Sequence, residues 1–154
     1  LISNSQKKVP ETGIDILPNE NFRPFFAFVN GPKKTTKQIL AVSDVVLVPV
    51  STAGADVWAT FDTEDAIKEE IADRKDLKVR LLMNRYRDYV NSAKAIKSGV
   101  KKEFEVGVMN STLGYREAYA QALAQGLCAD EMSNPKATEE LNKLTNEVMR
   151  LLRR

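Results

Sequence analysis

The chain has 154 residues, 43% of them apolar, which is enough for one domain with a continuous core. A formal charge of +2 does not by itself demand a polyanionic partner. With one cysteine (Cys128) and no histidine, the chain builds no internal disulfide, no Cys–His or Ser–His–Asp nucleophile and no His-bearing zinc site. No run is long and apolar enough to span a bilayer and no charged-then-apolar leader is present, so a cytoplasmic protein with no membrane partner is expected.

Residues 1–11 are polar and read as a loose N-terminal segment. Residues 12–17 alternate apolar and polar side chains up to Pro18-Asn19, the pattern of a short strand. Phe26-Ala27-Phe28-Val29 is a second strand, stopped by Asn30-Gly31-Pro32. A basic segment follows, with Ile39, Leu40 and Val42 at helical spacing, and predicts a helix over residues 35–43. Residues 45–50, VVLVPV, form an unbroken and largely β-branched run. A strand apolar on both faces needs cover on both sides, the condition met in parallel sheets flanked by helices. The two strands and the helix between them make a βαβ unit, whose functional edge lies at the carboxyl ends of the strands.

A small-residue loop, Ser51 to Ala55, leads into a helix beginning at Asp56. Its apolar stripe is Val57, Phe61, Ile67 and Ile71, with Trp58 at the edge and Glu64, Asp65 and Glu69 outward. Residues 78–83 are the next strand, ending at Asn84-Arg85, and residues 89–102 a helix with Val90, Ala93, Ile96 and Val100 inward. A weaker strand is expected at 104–108 and a helix at 113–125 with Gly126 as its stop. Cys128 follows as a small half-buried apolar residue. Asn134 and Pro135 are suited to cap and open a last helix, in which Ala137, Leu141, Leu144, Val148 and Leu151 recur at steps of four and three. Such a seam packs on its own sheet more often than on a partner. The alternation of strands and helices predicts one α/β domain of three layers with a mainly parallel sheet.

The pattern of an apolar strand, a polar residue and Gly31, then a helix and Ala41-Val42-Ser43-Asp44-Val45-Val46-Leu47-Val48-Pro49-Val50 with Asp56 beyond, resembles the ParA/MinD group of deviant-Walker ATPases, most closely its small plasmid-partition members. The resemblance continues through Leu81-Leu82-Met83-Asn84-Arg85, where the family has a strand ending in Asn-Arg or Asn-Lys. It extends to Ser111, Glu117, Ala118 and Gly126, and covers most of the chain from about Thr12. It implies a P-loop NTPase-like fold and a homodimer that segregates DNA, binds DNA without sequence preference and answers to a centromere-binding partner. It also implies that Asn84 and Arg85 sit at the rim for adenine and that Asp56 faces the nucleotide or the dimer mate. Lys94, Lys97, Lys101, Lys102, Arg150, Arg153 and Arg154 are then candidates for phosphate contacts. Plainer roles exist for several of these residues: a strand-ending turn for Asn84, a helix cap for Asp56, and the negative end of a helix dipole for the terminal arginines.

The departures from the family pattern bear on activity. The chain has no G-x-x-x-x-G-K-T stretch, and Gly31-Pro32-Lys33-Lys34-Thr35-Thr36 lacks both the glycine spacing and the Pro32 N–H that a phosphate nest requires. Asn30 stands where the family's Walker B aspartate would hold Mg²⁺ through its water shell, and an amide is a poor substitute. The chain as given is therefore expected to take no cofactor and to hydrolyse no ATP; ATP and Mg²⁺ enter only if a Gly-rich loop precedes it. Without the strand leading to that loop, residues 26–29 expose an apolar edge. Residues 12–17, a second copy or an upstream segment would cover it, and Leu1 in place of Met favours the last or a trimmed chain. The alternative function is a non-catalytic interaction module that dimerises through this edge or through the C-terminal helix. An enzyme using Ser51, Thr52 or Cys128 has no base to activate its nucleophile.

Overall fold

The computed structural model describes Leu40, residues 43–74 and residues 76–153. Its elements are β1 (Val45–Val50), α1 (Gly54–Asp73), β2 (Lys78–Tyr86), α2 (Asn91–Glu103), β3 (Val108–Gly114), α3 (Glu117–Gln125) and α4 (Pro135–Leu152). The three strands are parallel, in the order β1-β2-β3. The expected strands at 12–17 and 26–29, together with Asn30 and Arg154, lie outside the described residues. Of the helix expected at 35–43, only Leu40, helical and fully buried, and Ser43, also buried, are described.

In the β1–β2 register, Val46 lies opposite Val79, Val48 opposite Leu81 and Val50 opposite Met83. Paired residues of parallel strands point to the same side, so these six line one face, and none is more than 3% exposed. Val57, Phe61, Ile67 and Ile71 of α1, Ile96 and Val100 of α2, and Phe104 and Val106 cover that face. Each such aliphatic side chain contributes about 1.5–3 kcal/mol on leaving water. Phe61 and Phe104 stack with ring centroids 4.3 Å apart. On the opposite face, Lys78 Nζ donates to the Leu151 carbonyl at 2.7 Å, and α4 packs along β3. Helices thus flank the sheet on both sides, the α/β arrangement expected from the alternating pattern.

The third strand lies at Val108–Gly114 rather than at 104–108, and the helix after it begins at Glu117 rather than Leu113. Phe104 is extended but turns its ring into the core, and the N–H groups of Glu105 and Val106 donate to the Glu64 carboxylate (2.8 and 3.4 Å) instead of joining a ladder. Pairing begins where the Leu81 N–H meets the Gly107 carbonyl at 2.9 Å. Between Leu81 and Met83 the partner strand advances from Val108 to Thr112, a bulge that turns two consecutive N–H groups outward. Those groups, on Asn110 and Ser111, donate to Glu147 of α4 at 2.8 Å each.

Glu64 is a second correction. It is 4% exposed and lies on the inner face of α1, filling the turn between Phe61 and Ile67 that the apolar stripe skips. Its partners are the two N–H groups above and, at 3.7 Å, Lys68. Replacing Glu64 by alanine orphans both N–H groups beside the core and is expected to cost about 2 kcal/mol in urea unfolding. Replacement by glutamine, which keeps an acceptor, is expected to cost less than half of that; equal losses for both variants would contradict the acceptor role. Cys128 is exposed rather than half-buried, because the backbone turns there, with its N–H on the Glu131 carboxylate at 2.7 Å. Trp58 is 74% exposed. Gly126 ends α3 in the left-handed region (φ 67°), and Asn134 Oδ1 accepts from the Ala137 N–H at 3.0 Å to cap α4, both as the sequence predicts.

Candidate functional site

The three strands deliver their carboxyl ends to one edge. Val50 pairs with Met83, so Ser51 and Asn84 leave neighbouring strands side by side, and Tyr86 pairs with Gly114. Beyond β1, the Ser51 hydroxyl donates to the Asp56 carboxylate and accepts from the Ala53 N–H at 3.1 Å. Asp56 is therefore not the cap itself. It is the third residue of α1, an acid in the first turn where the helix dipole favours it, and it closes the loop through Ser51.

Beyond Met83, β2 runs three residues further than the sequence pattern shows. Arg85 has a φ of 51°, and its N–H donates to Asn84 Oδ1 at 2.9 Å. A left-handed arginine costs about 1 kcal/mol and is held by that side-chain turn. The kink breaks the simple alternation of β2, and both flanking arginines reach the same ring: Arg85 Cζ lies 5.1 Å, and Arg87 Cζ 4.4 Å, from the Tyr115 centroid. The Tyr115 N–H donates to the Tyr86 carbonyl at 3.0 Å. Asn84, Arg85, Leu113, Tyr115, Tyr119 and Leu123 line an open cleft of ≈ 660 Å³ at this edge.

The far wall of the cleft is held by Glu140 of α4. Its carboxylate accepts from the Gly114 N–H (3.0 Å), from Arg116 Nε (3.0 Å) and Nη2 (2.5 Å), and from the Tyr119 hydroxyl (2.9 Å). Burial works against the charged carboxylate, but Arg116, the Gly114 N–H and Tyr119 outweigh it, so the Glu140 pKa lies below the ordinary value. Burial and the hydrogen bond to Glu140 push the Tyr119 phenol well above its own.

Lys94, Lys101 and Lys102 are exposed on α2. Lys97 is half-buried, with Nζ 5.3 Å from the Tyr86 centroid; burial, then Lys101, lower its pKa against the opposing pull of Glu147. Lys97 is thus within electrostatic reach of Glu147 on α4; exposed Arg150 lies three residues beyond Glu147, and exposed Arg153 ends that helix. The structure therefore joins Asn84 and Arg85 in one cleft. Among the described residues, Lys97 alone of the α2 lysines contacts an aromatic ring, that of Tyr86, which does not line the cleft. Asp56 is not among the cleft-lining residues. Tyr115, Arg116, Tyr119 and Glu140 escaped the sequence reading. The interleaved Arg85-Tyr86-Arg87-Asp88-Tyr89, and acids at 140 and 147 flanking the α4 seam, were the available signals.

No protein-family model matches the chain. A search of curated proteins finds the maintenance of carboxysome distribution protein A of Halothiobacillus neapolitanus, 24% identical over 116 residues. The match takes in 74% of this chain and 53% of that protein, so the chain spans about half the length of the relative it matches. The likeness supports a ParA-like relationship, at that coarse level. Among the described residues no helix is long and apolar enough to cross a membrane.

Proposed function

We propose that the chain is a ParA-like positioning protein of the deviant-Walker type, acting on DNA in the cytoplasm as a homodimer with a centromere-binding partner. The observation that carries this reading is the strand-end cleft with Asn84 and Arg85 on its rim, in a chain that also exposes Lys94, Lys101 and Lys102 on α2. Asn84 and Arg85 form the base side of a nucleotide cleft. Lys94, Lys97, Lys101 and Lys102, with Arg150, Arg153 and Arg154, meet DNA phosphates, whose counterion release supplies affinity without sequence preference. The likeness to a protein named for maintaining carboxysome distribution agrees with a role in placing cargo. Two unrelated duplexes are expected to shift in a gel at the same protein concentration, with affinity falling steeply between about 50 and 200 mM salt. No shift at low salt overturns the reading.

The 154 residues by themselves do not fit Mg²⁺-ATP: the Gly-rich nest is missing from the sequence, Asn30 replaces the Walker B acid, and Asp56 is tied to Ser51. Calorimetry is expected to find no Mg²⁺-ATP binding tighter than about 1 mM. A micromolar dissociation constant contradicts the inactivity while leaving the DNA reading intact. The interaction-module reading draws on the α4 seam, where Leu141, Leu144, Val148 and Leu151 are half-buried. A dimer that sediments unchanged across salt and nucleotide favours that reading instead.

A further inference from the structure

The cation–ring contacts among the described residues gather near the carboxyl ends of β2 and β3. Arg85 and Arg87 approach the Tyr115 ring, and Lys97 approaches the Tyr86 ring. The Tyr115 N–H donates to the Tyr86 carbonyl, which joins the two main chains, while the Tyr86 side chain packs on the core beneath α1 and α2. Tyr115 is 52% exposed and Tyr89, four residues beyond Arg85, is 77% exposed. Neither Arg85 nor Arg87 has a carboxylate partner among the described residues, and the nearby Asp88 acts on Arg116. Two guanidinium groups against one ring lie within about one Debye length, ~10 Å, of each other, so their repulsion is only partly screened. An anion relieves it. Leu113 and the exposed Leu123 line the adjoining cleft, whose size suits a nucleotide-sized group rather than a duplex.

We propose that the strip of Arg85, Arg87 and Tyr115 binds single-stranded nucleic acid, with unpaired bases stacking on Tyr115 and Tyr89 and the backbone phosphates meeting Arg85 and Arg87. A duplex hides its base faces within its own stack, whereas a single strand offers one per nucleotide. Aromatic rings interleaved with cations are the platform that uses them. Arg85 and Arg87, two residues apart, both reach this ring, with Arg85 itself in the left-handed region. The inference does not depend on the partition reading. Lys101 and Lys102 contact neither ring, so duplex binding through α2 and single-strand binding through the strip are separable.

The test is fluorescence anisotropy with the full chain and an oligothymidylate of ~15 nucleotides, against a duplex and an abasic backbone of the same length. The oligothymidylate is expected to bind at least fivefold more tightly than the abasic strand. Tyr115→Ala is expected to weaken it five- to twentyfold with duplex binding unchanged, Tyr115→Trp to restore it, and Lys101→Glu with Lys102→Glu to weaken the duplex alone. Equal affinity for abasic and base-bearing strands overturns the proposal, whether or not the Tyr115 variant folds. So does displacement by polyglutamate as efficient as by unlabelled oligothymidylate, which would mark a surface for acidic peptides.

Discussion

Replacing Glu140 by alanine is expected to lower the unfolding free energy by about 3 kcal/mol, read as a fall in the urea midpoint at neutral pH. The carboxylate is the meeting point of three elements: the end of β3 through the Gly114 N–H, the approach to α3 through Arg116, and α3 itself through Tyr119. Its removal leaves the guanidinium of Arg116 without its acid, and orphans a hydroxyl and a backbone N–H. The Arg116 and Glu140 side chains are 29% and 18% exposed, which places the pair between a surface ion pair, worth under about 1 kcal/mol, and a fully buried one. Gly114 belongs to the same device. A Cβ there would meet Glu140 Oε1 at 2.9 Å, so glycine is what lets the carboxylate reach the strand. Glutamine at 140 keeps the shape but loses the charge, and is expected to cost roughly half as much. The pH dependence follows from the depressed pKa. A carboxylate whose folded pKa lies below its unfolded value, about 4.3, contributes fully above that value and loses its contribution as pH falls through the folded one. The gap between wild type and Glu140→Ala is therefore expected to be constant between about pH 6 and pH 9, below the range where the Tyr119 phenol titrates, and to narrow below about pH 4. Matching midpoints at pH 7, or a gap that widens in acid, contradict this account.

The frame of the fold was legible because its signals are local. The unbroken run at 45–50 and the run at 78–83, which alternates Lys78 and Arg80 with apolar residues before Leu82-Met83, announce strands buried on at least one side, and Asn134-Pro135 with the steps of four and three announce α4. What escaped depends on partners distant in sequence. Val108–Gly114 reads VMNSTLG, too polar for a core strand, because its outer N–H groups are answered by Glu140 and Glu147 on a helix some 26 to 37 residues later. Glu64 reads as a surface acid, because nothing near it in sequence shows that Glu105 and Val106 will present two N–H groups to the inner face of α1. Asn84 and Arg85 were legible as a strand end, but the convergence of Arg85 and Arg87 on Tyr115 required the β2–β3 register. Charge is easily located in a sequence, whereas the geometry that gives it a partner is not.

Reversing Lys94, Lys101 and Lys102 to glutamate is expected to weaken duplex DNA binding at least a hundredfold at about 100 mM salt. Each phosphate neutralised adds ~0.9 to the slope of log affinity against log salt, so losing three contacts lowers the slope by about 3. Lys97 is left in place because its amine lies over Tyr86 within the influence of Glu147, and a new acid there would act on packing as well as on DNA. The three reversed residues are exposed, and substitution at such positions usually changes stability by no more than about 0.5 kcal/mol. Lys101 and Lys102 also sit in the last turn of α2, where acids oppose the helix dipole, so a further loss of up to about 1 kcal/mol is expected. That loss is too small to unfold the chain, and a urea curve separates it from the DNA effect. Retention of wild-type affinity and slope would move the contact surface off α2, leaving Arg150 and Arg153 at the end of α4 to carry it. A fall in affinity at unchanged slope would mean that the lysines shape the surface without touching phosphate, because only lost counterion release flattens the salt dependence.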